Sequence, residues 1–458
     1  MLAYFVYYSR LTVEIYRGYG SPGYDMGIFD QGLWLLSRFH APFVTIMGRN
    51  LFGDHTSFIL LLLVPVYWVY PHATALLVIQ TALIALGALP VYLLARDLLH
   101  DNIWATMLAG AFLLNPALQW GNLEQFHPEC FLVPLVGFAI YAAVVWRPWL
   151  LIVCTVLALL VKEDVALFVV PLGLWVAIRR DRAFGLKMIG AAVLTALIAT
   201  EVVIRSLLGI PTLYADRVPF GGIGGLLSAI VTKPKQFLEY MGSQGRPYYV
   251  WQMVFPSALV FLWNPEVAAI GLLVVGSNLI SNFPYQHEIL YHYSLSTVAV
   301  LAMGTVFAIS LIKQPKARAA TVTVVALCSI LACFLWGAFP LISRNKVDHW
   351  KPSYSQVHDI NAVLPALPPN AVVSASDFIV AHVDHRDRAY QFPTPFRALY
   401  WGEFQQEGQR LPFAGQVQYL FLPVQMTASD QAVFDQIRSQ FVVVKQVGYA
   451  MLLKRRGP

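Results

Sequence analysis

The sequence predicts an all-α polytopic membrane protein with about eleven transmembrane helices, followed by a small extracytoplasmic α/β domain. Of its 458 residues, 58% are hydrophobic and only 12% are charged, whereas an average soluble domain has about 25% charged residues. Apolar runs approaching the roughly 20 residues of a membrane helix recur up to residue 341. After residue 341 these runs stop, and charge and proline increase. This composition excludes an ordinary soluble enzyme, a coiled coil and a disordered chain.

The apolar pattern predicts ten complete spans and half of one more. The first ten residues, MLAYFVYYSR, have neither a basic segment nor a cleavage site, so they are no signal peptide. We expect the chain to start inside its first span. Two short spans could together form one re-entrant hairpin without changing the topology. The complete spans lie at 72–95, 103–120, 130–146, 149–161 (short), 165–178 (short), 187–208, 249–263, 266–280, 294–312 and 319–341.

Basic side chains orient these spans, because cytoplasmic loops carry an excess of Lys and Arg. One set of loops contains Arg96, Arg147, Arg179, Arg180, Arg182, Lys187, Lys313, Lys316 and Arg318, with only four acids. We expect the opposite segments 11–71, 121–129, 209–248 and 281–293 to be extracytoplasmic. The chain then divides into a transmembrane domain at 1–341, whose first outer loop is 11–71, and an extracytoplasmic α/β domain at 342–458. The net charge of +6 fits this bias, and without a basic stripe interleaved with aromatics no nucleic-acid partner is expected.

The first outer loop places two acids in the apolar segment YDMGIFDQGLW. Asp25 and Asp30 would be costly beside a membrane unless they are satisfied or used. Each could cap the helix that follows or take part in chemistry. Further along the loop, Asp54 and His55 could orient a proton carrier or bind a metal. Alternatively, Asp54 could cap the next helix.

Three later outer loops also carry acids and histidines. The segment NLEQFHPE contains Glu124, His127 and Glu129, which have ligand or acid–base chemistry, although Glu129 also suits the first turn of a helix started by Pro128. The second segment is a hairpin tip with Lys162, Glu163 and Asp164, which could hold an anionic phosphate on its lysine or simply be solvated. The third segment lies just above a span, among aromatic residues, and contains His287, Glu288 and His292.

The C-terminal segment has the pattern of a small α/β domain. Helices are predicted at 353–367 and 430–440, and strands at 371–375, 389–392, 419–423, 441–445 and 450–454. Its most polar part, with Asp377, His382, His385 and Arg386, could face the membrane domain or form a solvated loop. Nucleotide-binding, metalloprotease and serine-hydrolase motifs are all absent from the sequence. The four cysteines lie in apolar runs that suit neither a disulfide nor a zinc site.

Six strings carry a resemblance to a known family: YDMGIFDQGLW, LFGDHTSFILLL, NLEQFHPE, LLVKEDVALFV, YHYS and VVSASDFIVAHVDHRDRAYQFP. As a set they resemble a family of bacterial and archaeal predicted membrane proteins, a domain of unknown function, over about residues 20–440. That family in turn is similar to the GT-C superfamily of polytopic glycosyltransferases. The resemblance implies a long first outer loop with an essential acid soon after the first span, a position that Asp25 matches. GT-C members often have adjacent acids there, whereas Asp25 and Asp30 are separated, so either could be the base.

The resemblance implies transfer of a sugar from a polyprenyl-phosphate carrier to an extracytoplasmic glycan, lipid or protein, in a bacterial or archaeal plasma membrane. Asp25 or Asp30 would act as the general base in an inverting displacement. Lys162, Arg49 or Arg246 could neutralise the leaving phosphate. The other outer acids and histidines would bind the acceptor, sugar hydroxyls or a divalent cation such as Mg²⁺ or Mn²⁺, although no cofactor is required.

Two other functions remain open at the level of sequence. A transporter or flippase would place charges along a path through the membrane, but only Glu201 lies within a span, with Arg205 one turn away. The sequence also shows no inverted repeat of the kind that transporters have. A non-catalytic protein that retains a GT-C-like scaffold is the third possibility.

Overall fold

The computed structural model describes residues 1–210, 214–400 and 406–457. Within these residues, five helices are long and apolar enough to cross a membrane: Ala73–Leu99, Pro128–Val145, Arg182–Leu207, His292–Ser310 and Pro315–Trp336. Shorter apolar helices cover Phe58–Val69, Asn102–Leu113, Pro148–Leu159, Ile223–Thr232 and Ala268–Ile280. The first helix is Leu2–Arg17, and Ala166–Arg179 forms a hairpin with the helix that follows it. The predicted total of eleven spans is therefore not confirmed.

Two predicted spans are wrong as single helices. The segment 103–120 is divided into Asn102–Leu113 and Pro116–Leu123, because Asn115 caps the second helix and Pro116 has no N–H to continue the first. The segment 249–263 is also broken. Helix Arg246–Val254 gives way to short turns, and the backbone is left-handed at Ala258 (φ 50°) and Leu259 (φ 56°).

The first outer loop folds back on the membrane helices. It contains a distorted turn at Gly23–Gly27, helix Ile28–Ser37 and a hairpin of strands β1 (Phe43–Val44) and β2 (Arg49–Asn50). A short helix at Leu51–Asp54 closes this part of the loop. The first helix extends to Arg17, so the loop starts later than the predicted residue 11.

The C-terminal segment contains a mixed five-stranded sheet close to the predicted pattern. Its strands are β3 (Val373–Ala375), β4 (Ala389–Gln391), β5 (Tyr419–Pro423), β6 (Phe441–Val447) and β7 (Ala450–Arg455), in the order β4-β3-β5-β7-β6. Strand β3 is parallel to β4 and β5, while β7 is antiparallel to β5 and β6. Helices Ser355–Val363 and Ala428–Ile437 confirm the two predicted helices to within a few residues.

The segment between β3 and β4 docks on the first outer loop, so it is not a solvated loop. The backbone N–H of Gly23 donates to Oδ1 of Asp377 at 2.9 Å. Tyr16 donates to the carbonyl of Ala381 at 3.1 Å, and Gln31 to that of Arg386 at 3.1 Å. These contacts fix both sides of the turn that carries Asp25.

Candidate functional site

Asp25 stands on a strained turn. Its backbone has φ 68° and ψ −83°, a γ-turn conformation that is rare and strained for a residue with a side chain. Such strain costs about 1–3 kcal/mol and concentrates at functional sites. No side-chain capping bond is made at the start of helix Ile28–Ser37, where Gly27 is the capping residue. Asp25 therefore does not serve as the cap that was one of its two predicted roles.

Asp25 faces a cluster of two histidines and an acid. Its Oδ1 lies 3.4 Å from Nε2 of His127, and the Asp25 side chain is 42% exposed. The His127 ring stacks on that of His292 with centroids 3.8 Å apart. Nδ1 of His292 lies 3.1 Å from Oε1 of Glu124, and Oε2 of Glu124 accepts from the backbone N–H of His292 at 2.5 Å. Three segments that are distant in sequence thus meet at one point.

The cluster continues to a buried lysine. Nε2 of His292 lies 3.8 Å from Oε1 of Glu129, and the same oxygen accepts from Nζ of Lys162 at 3.0 Å. Asp164 Oδ2 lies 3.7 Å from Nζ of Lys162, and this Nζ lies above the Tyr293 ring, 5.8 Å from the ring centroid. Since the Lys162 side chain is only 8% exposed, it is not part of a solvated hairpin tip.

An apolar cleft opens beside Lys162. Glu129, Lys162, Asp164 and His292 form its polar end. The remainder is lined by the apolar side chains of Leu132, Val136, Val165, Leu167, Phe168 and Val274, and by the polar residues Ser277, Asn278, Gln286, Tyr293 and Ser296. This arrangement suits a ligand with an anionic head and a hydrocarbon chain, because the charge would meet Lys162 while the chain lies against apolar side chains.

A second group of charges flanks the lysine. His55 Nδ1 lies 2.7 Å from Oε1 of Glu163. Asp54 Oδ1 accepts from Arg49 at 2.6 Å and from the Tyr214 hydroxyl at 2.7 Å. Because Asp54 is held by these side chains and the next helix has no side-chain cap, it is not that helix's cap.

Ionisation states follow from these contacts. Burial disfavours charge on Asp25, but His127 outweighs it and lowers the pKa of Asp25. Burial likewise opposes a charged His127, yet Glu124 and Asp25 raise the pKa of His127 to about 9. Despite its burial, Lys162 has a pKa well above its ordinary value because Asp164 and Glu129 are close. At neutral pH the site therefore pairs an ionised Asp25 with a protonated His127.

Glu124, His127 and His292 could also hold a cation. Each offers one ligand atom, and these atoms lie within 4.8 Å of one another. Two imidazoles and a carboxylate suit a transition metal such as Mn²⁺ better than Mg²⁺, which prefers oxygen ligands. Binding would require His127 to lose its proton, because a metal ligates the neutral imidazole.

Four residues expected at the site lie elsewhere or make other contacts. Asp30 is 1% exposed, and its carboxylate contacts Tyr67 and His385. Arg246 is fully buried and donates to the backbone carbonyls of Tyr240, Ser243, Leu279 and Ser281. His287 is buried below the surface, and Glu288 makes no hydrogen bond within the described part of the chain.

Comparisons with known proteins place this geometry in a family. A model described as "Predicted membrane protein (DUF2079)" matches residues 20–455. The chain belongs to the DUF2079 family. Against curated proteins, no match is found.

Two solved structures of ArnT from Cupriavidus metallidurans share the fold of this DUF2079 member. One, bound to undecaprenyl phosphate, aligns with a TM-score of 0.56 at 13% identity, and the apo state with 0.52 at 13%. Each alignment covers 100% of this chain and 99% of the ArnT chain. Because ArnT is a GT-C glycosyltransferase, the resemblance to that superfamily is confirmed at the level of fold.

Sequence reasoning missed two contributors to the site of this DUF2079 member. Tyr214 holds Asp54, and the Arg217 guanidinium stacks between Tyr214 (3.9 Å) and Phe283 (4.2 Å). Asp377, which sequence reasoning did single out, holds the turn of Asp25. The partners are distant in sequence, and no local pattern marks such long-range contacts.

Proposed function

We propose that this protein is an integral membrane glycosyltransferase that moves a sugar from a polyprenyl-phosphate carrier to an extracytoplasmic acceptor. The observation that carries the proposal is the apolar cleft that ends at the buried Lys162 and merges with the Asp25 cluster through His292. The shared fold with ArnT, one of whose structures contains undecaprenyl phosphate, supports the same ligand class.

The carrier binds with its hydrocarbon chain in the cleft and its phosphate at Lys162. In the free protein, Glu129 and Asp164 neutralise this lysine. An arriving phosphate takes over part of that pairing, and charge-assisted hydrogen bonds to it are stronger than neutral ones. As the bond to the sugar breaks, Lys162 stabilises the charge that develops on the leaving phosphate.

Asp25 acts as the general base. It is ionised, half-exposed and rigidly held, so it can accept the proton of an acceptor hydroxyl. The acceptor oxygen forms a bond to the anomeric carbon while the bond from that carbon to the phosphate oxygen breaks. The electron pair leaves with the polyprenyl phosphate, the proton goes to Asp25, and the anomeric configuration inverts.

The surrounding residues orient this chemistry. Protonated His127 holds Asp25 ionised, and Glu124 fixes His292 against the His127 ring. Asp54, His55 and Glu163 lie on the far side of Lys162 and would recognise acceptor or sugar hydroxyls. Asp30 makes no contact with this group among the described contacts, so the base is assigned to Asp25 alone.

The site and the C-terminal sheet would face the outside of a bacterial or archaeal plasma membrane, where the acceptor is a glycan, a lipid or a protein. Purified protein in nanodiscs should convert labelled polyprenyl-phosphate sugar into labelled acceptor and free polyprenyl phosphate. Lys162→Gln should lower this turnover at least tenfold, while the matched variant Lys316→Gln, at an exposed position in the first turn of helix Pro315–Trp336, should not.

A flippase would give a different result with the same protein and the same labelled carrier. In proteoliposomes it would move the carrier across the bilayer with the bond between sugar and phosphate intact. Translocation without bond cleavage would contradict the proposal, as would equal turnover by the two lysine variants.

A further inference from the structure

A second cluster of acids and a histidine lies where the C-terminal segment meets helix Ile28–Ser37. It consists of Asp30 from the helix and Asp384 and His385 from the segment between β3 and β4. Each residue offers one ligand atom, and the three atoms lie within 4.8 Å of one another. Asp30 and Asp384 are 1% and 2% exposed.

The charges of this cluster are poorly compensated. Oδ1 of Asp30 receives hydrogen bonds from the Tyr67 hydroxyl at 2.5 Å and from Nε2 of His385 at 3.0 Å. Oδ2 of Asp384 is buried and accepts no hydrogen bond from the described residues. A buried carboxylate oxygen without a partner is destabilising, because it has lost its contact with water without gaining a hydrogen bond.

The nearest basic residue does not fill the gap. The guanidinium of Arg386 donates to the backbone carbonyls of Val383, Pro368 and Ala371. His382 is sandwiched between Tyr16 and Tyr19, and burial lowers its pKa to about 3, so it is neutral. His385 is the basic side chain that contacts a carboxylate of the cluster, while Arg386 and His72 act on Asp384 and Asp30 only through longer-range electrostatics.

Gly27 packs next to the unpaired oxygen of Asp384. A Cβ built on Gly27 would lie 3.5 Å from Oδ2 of Asp384 and 2.8 Å from the Ile46 side chain. Gly27 belongs to the same turn as Asp25. The cluster therefore lies directly behind the turn that carries the proposed base.

We propose that Asp30, Asp384 and His385 form a divalent-cation site that ties the C-terminal segment to the first outer loop. Two carboxylates and one imidazole suit Zn²⁺ or Mn²⁺. Ligand distances of 2.0–2.2 Å place tetrahedral ligand atoms roughly 3.3 Å apart, close to the 3.0 Å between His385 and Asp30. Tyr67 then acts as an outer partner that orients Asp30, as ligating carboxylates require.

A shared proton is the competing explanation. Burial and the neighbouring Asp30 raise the pKa of Asp384 well above its ordinary value, so a protonated Asp384 could donate to Asp30. The two explanations differ in an Asp384→Asn variant. Its amide would replace the shared proton without loss, but an amide would be a poor substitute for an anionic ligand.

The test uses the full-length protein in detergent, stripped with EDTA and then equilibrated with Mn²⁺ or with Zn²⁺. Bound metal is counted by mass spectrometry, and the thermal midpoint is measured with and without metal. We expect Asp384→Asn to bind one equivalent less than wild type and to lose the metal-induced rise in midpoint. Asp387→Asn, whose exposed carboxylate lies outside both candidate clusters, should keep the metal and the rise in midpoint.

Equal metal content in wild type and Asp384→Asn would overturn the proposal, as would a wild type that binds no metal. Should Asp384→Asn fail to fold, His385→Gln is the second variant, because the His385 side chain is 30% exposed. It should weaken metal binding by about tenfold or more. Unchanged affinity in His385→Gln would also count against the site.

Discussion

Asp25 and Asp30 lie five residues apart and have opposite environments. Asp25 is 42% exposed on a strained turn and faces His127. Asp30 is 1% exposed in a regular helix and is satisfied by Tyr67 and His385. The difference fits the proposed roles, in which the base is left accessible to substrate at an energetic cost while the residue that holds two parts of the fold together is buried and bonded.

The largest change in stability should come from Lys162, the buried lysine next to the cluster that Asp25 faces. Lys162→Met leaves the buried carboxylate of Glu129 without its cation, which should lower the free energy of unfolding by about 3 kcal/mol. Lys162→Arg keeps the charge and should cost much less. Chemical unfolding in detergent measures both, and equal losses would show that the charge is not what matters.

In the cluster of Asp30, Asp384 and His385, Tyr67→Phe should lower the free energy of unfolding by about 2 kcal/mol, because it removes a hydrogen bond to the buried carboxylate of Asp30. Tyr70→Phe is the matched control, since its hydroxyl contacts Thr74 and the residue is 52% exposed. If the two variants were equally stable, Asp30 would not depend on Tyr67 in the way described.

At Asp25 backbone strain and charge act in opposite directions. Asp25→Gly and Asp25→Asn both remove the ion pair with His127 and should abolish transfer, but only glycine relieves the strained backbone, so Asp25→Gly should be about 1 kcal/mol more stable than Asp25→Asn. Unfolding and turnover are measured on the same preparations. A Gly variant no more stable than the Asn variant would remove the argument that strain is stored at Asp25.

The smallest effect is a pH dependence at His127. Its folded pKa of about 9 exceeds its ordinary value of 6.5, so its ion pairs stabilise the fold fully below about pH 6.5 and are lost as the pH rises through about 9. The thermal midpoints of wild type and His127→Gln should therefore differ most near pH 6 and converge above pH 9. A gap that widens with pH would have the wrong sign.

Much of the fold was predictable because its signals are local. The strand Tyr419–Pro423 has the predicted bounds, since its apolar run ends at proline. The break at Ala258 and Leu259 was not predictable, because two apolar residues carry no signal for a left-handed backbone. Helix caps at Asp101 and Asp181 show the opposite case, in which an acid before a helix has its ordinary local role.

The sequence predicted which residues gather at the site but not which of them pair with each other. Glu124, His127, Glu129, Lys162 and His292 do come together. Which residues pair is decided by tertiary contacts, such as Glu163 with His55 and Asp30 with His385. The different environments of Asp25 and Asp30 therefore could not be predicted from YDMGIFDQGLW, where both are acids in an apolar segment.

The most direct test compares turnover of labelled polyprenyl-phosphate sugar by Asp25→Asn and Asp30→Asn, each with a confirmed fold. Losing a general base costs about 10²–10⁴-fold in rate. We expect that loss in Asp25→Asn, with normal binding of the carrier, and at most a tenfold loss in Asp30→Asn. Wild-type turnover by Asp25→Asn, or a larger loss in Asp30→Asn, would contradict the assignment of Asp25 as the base.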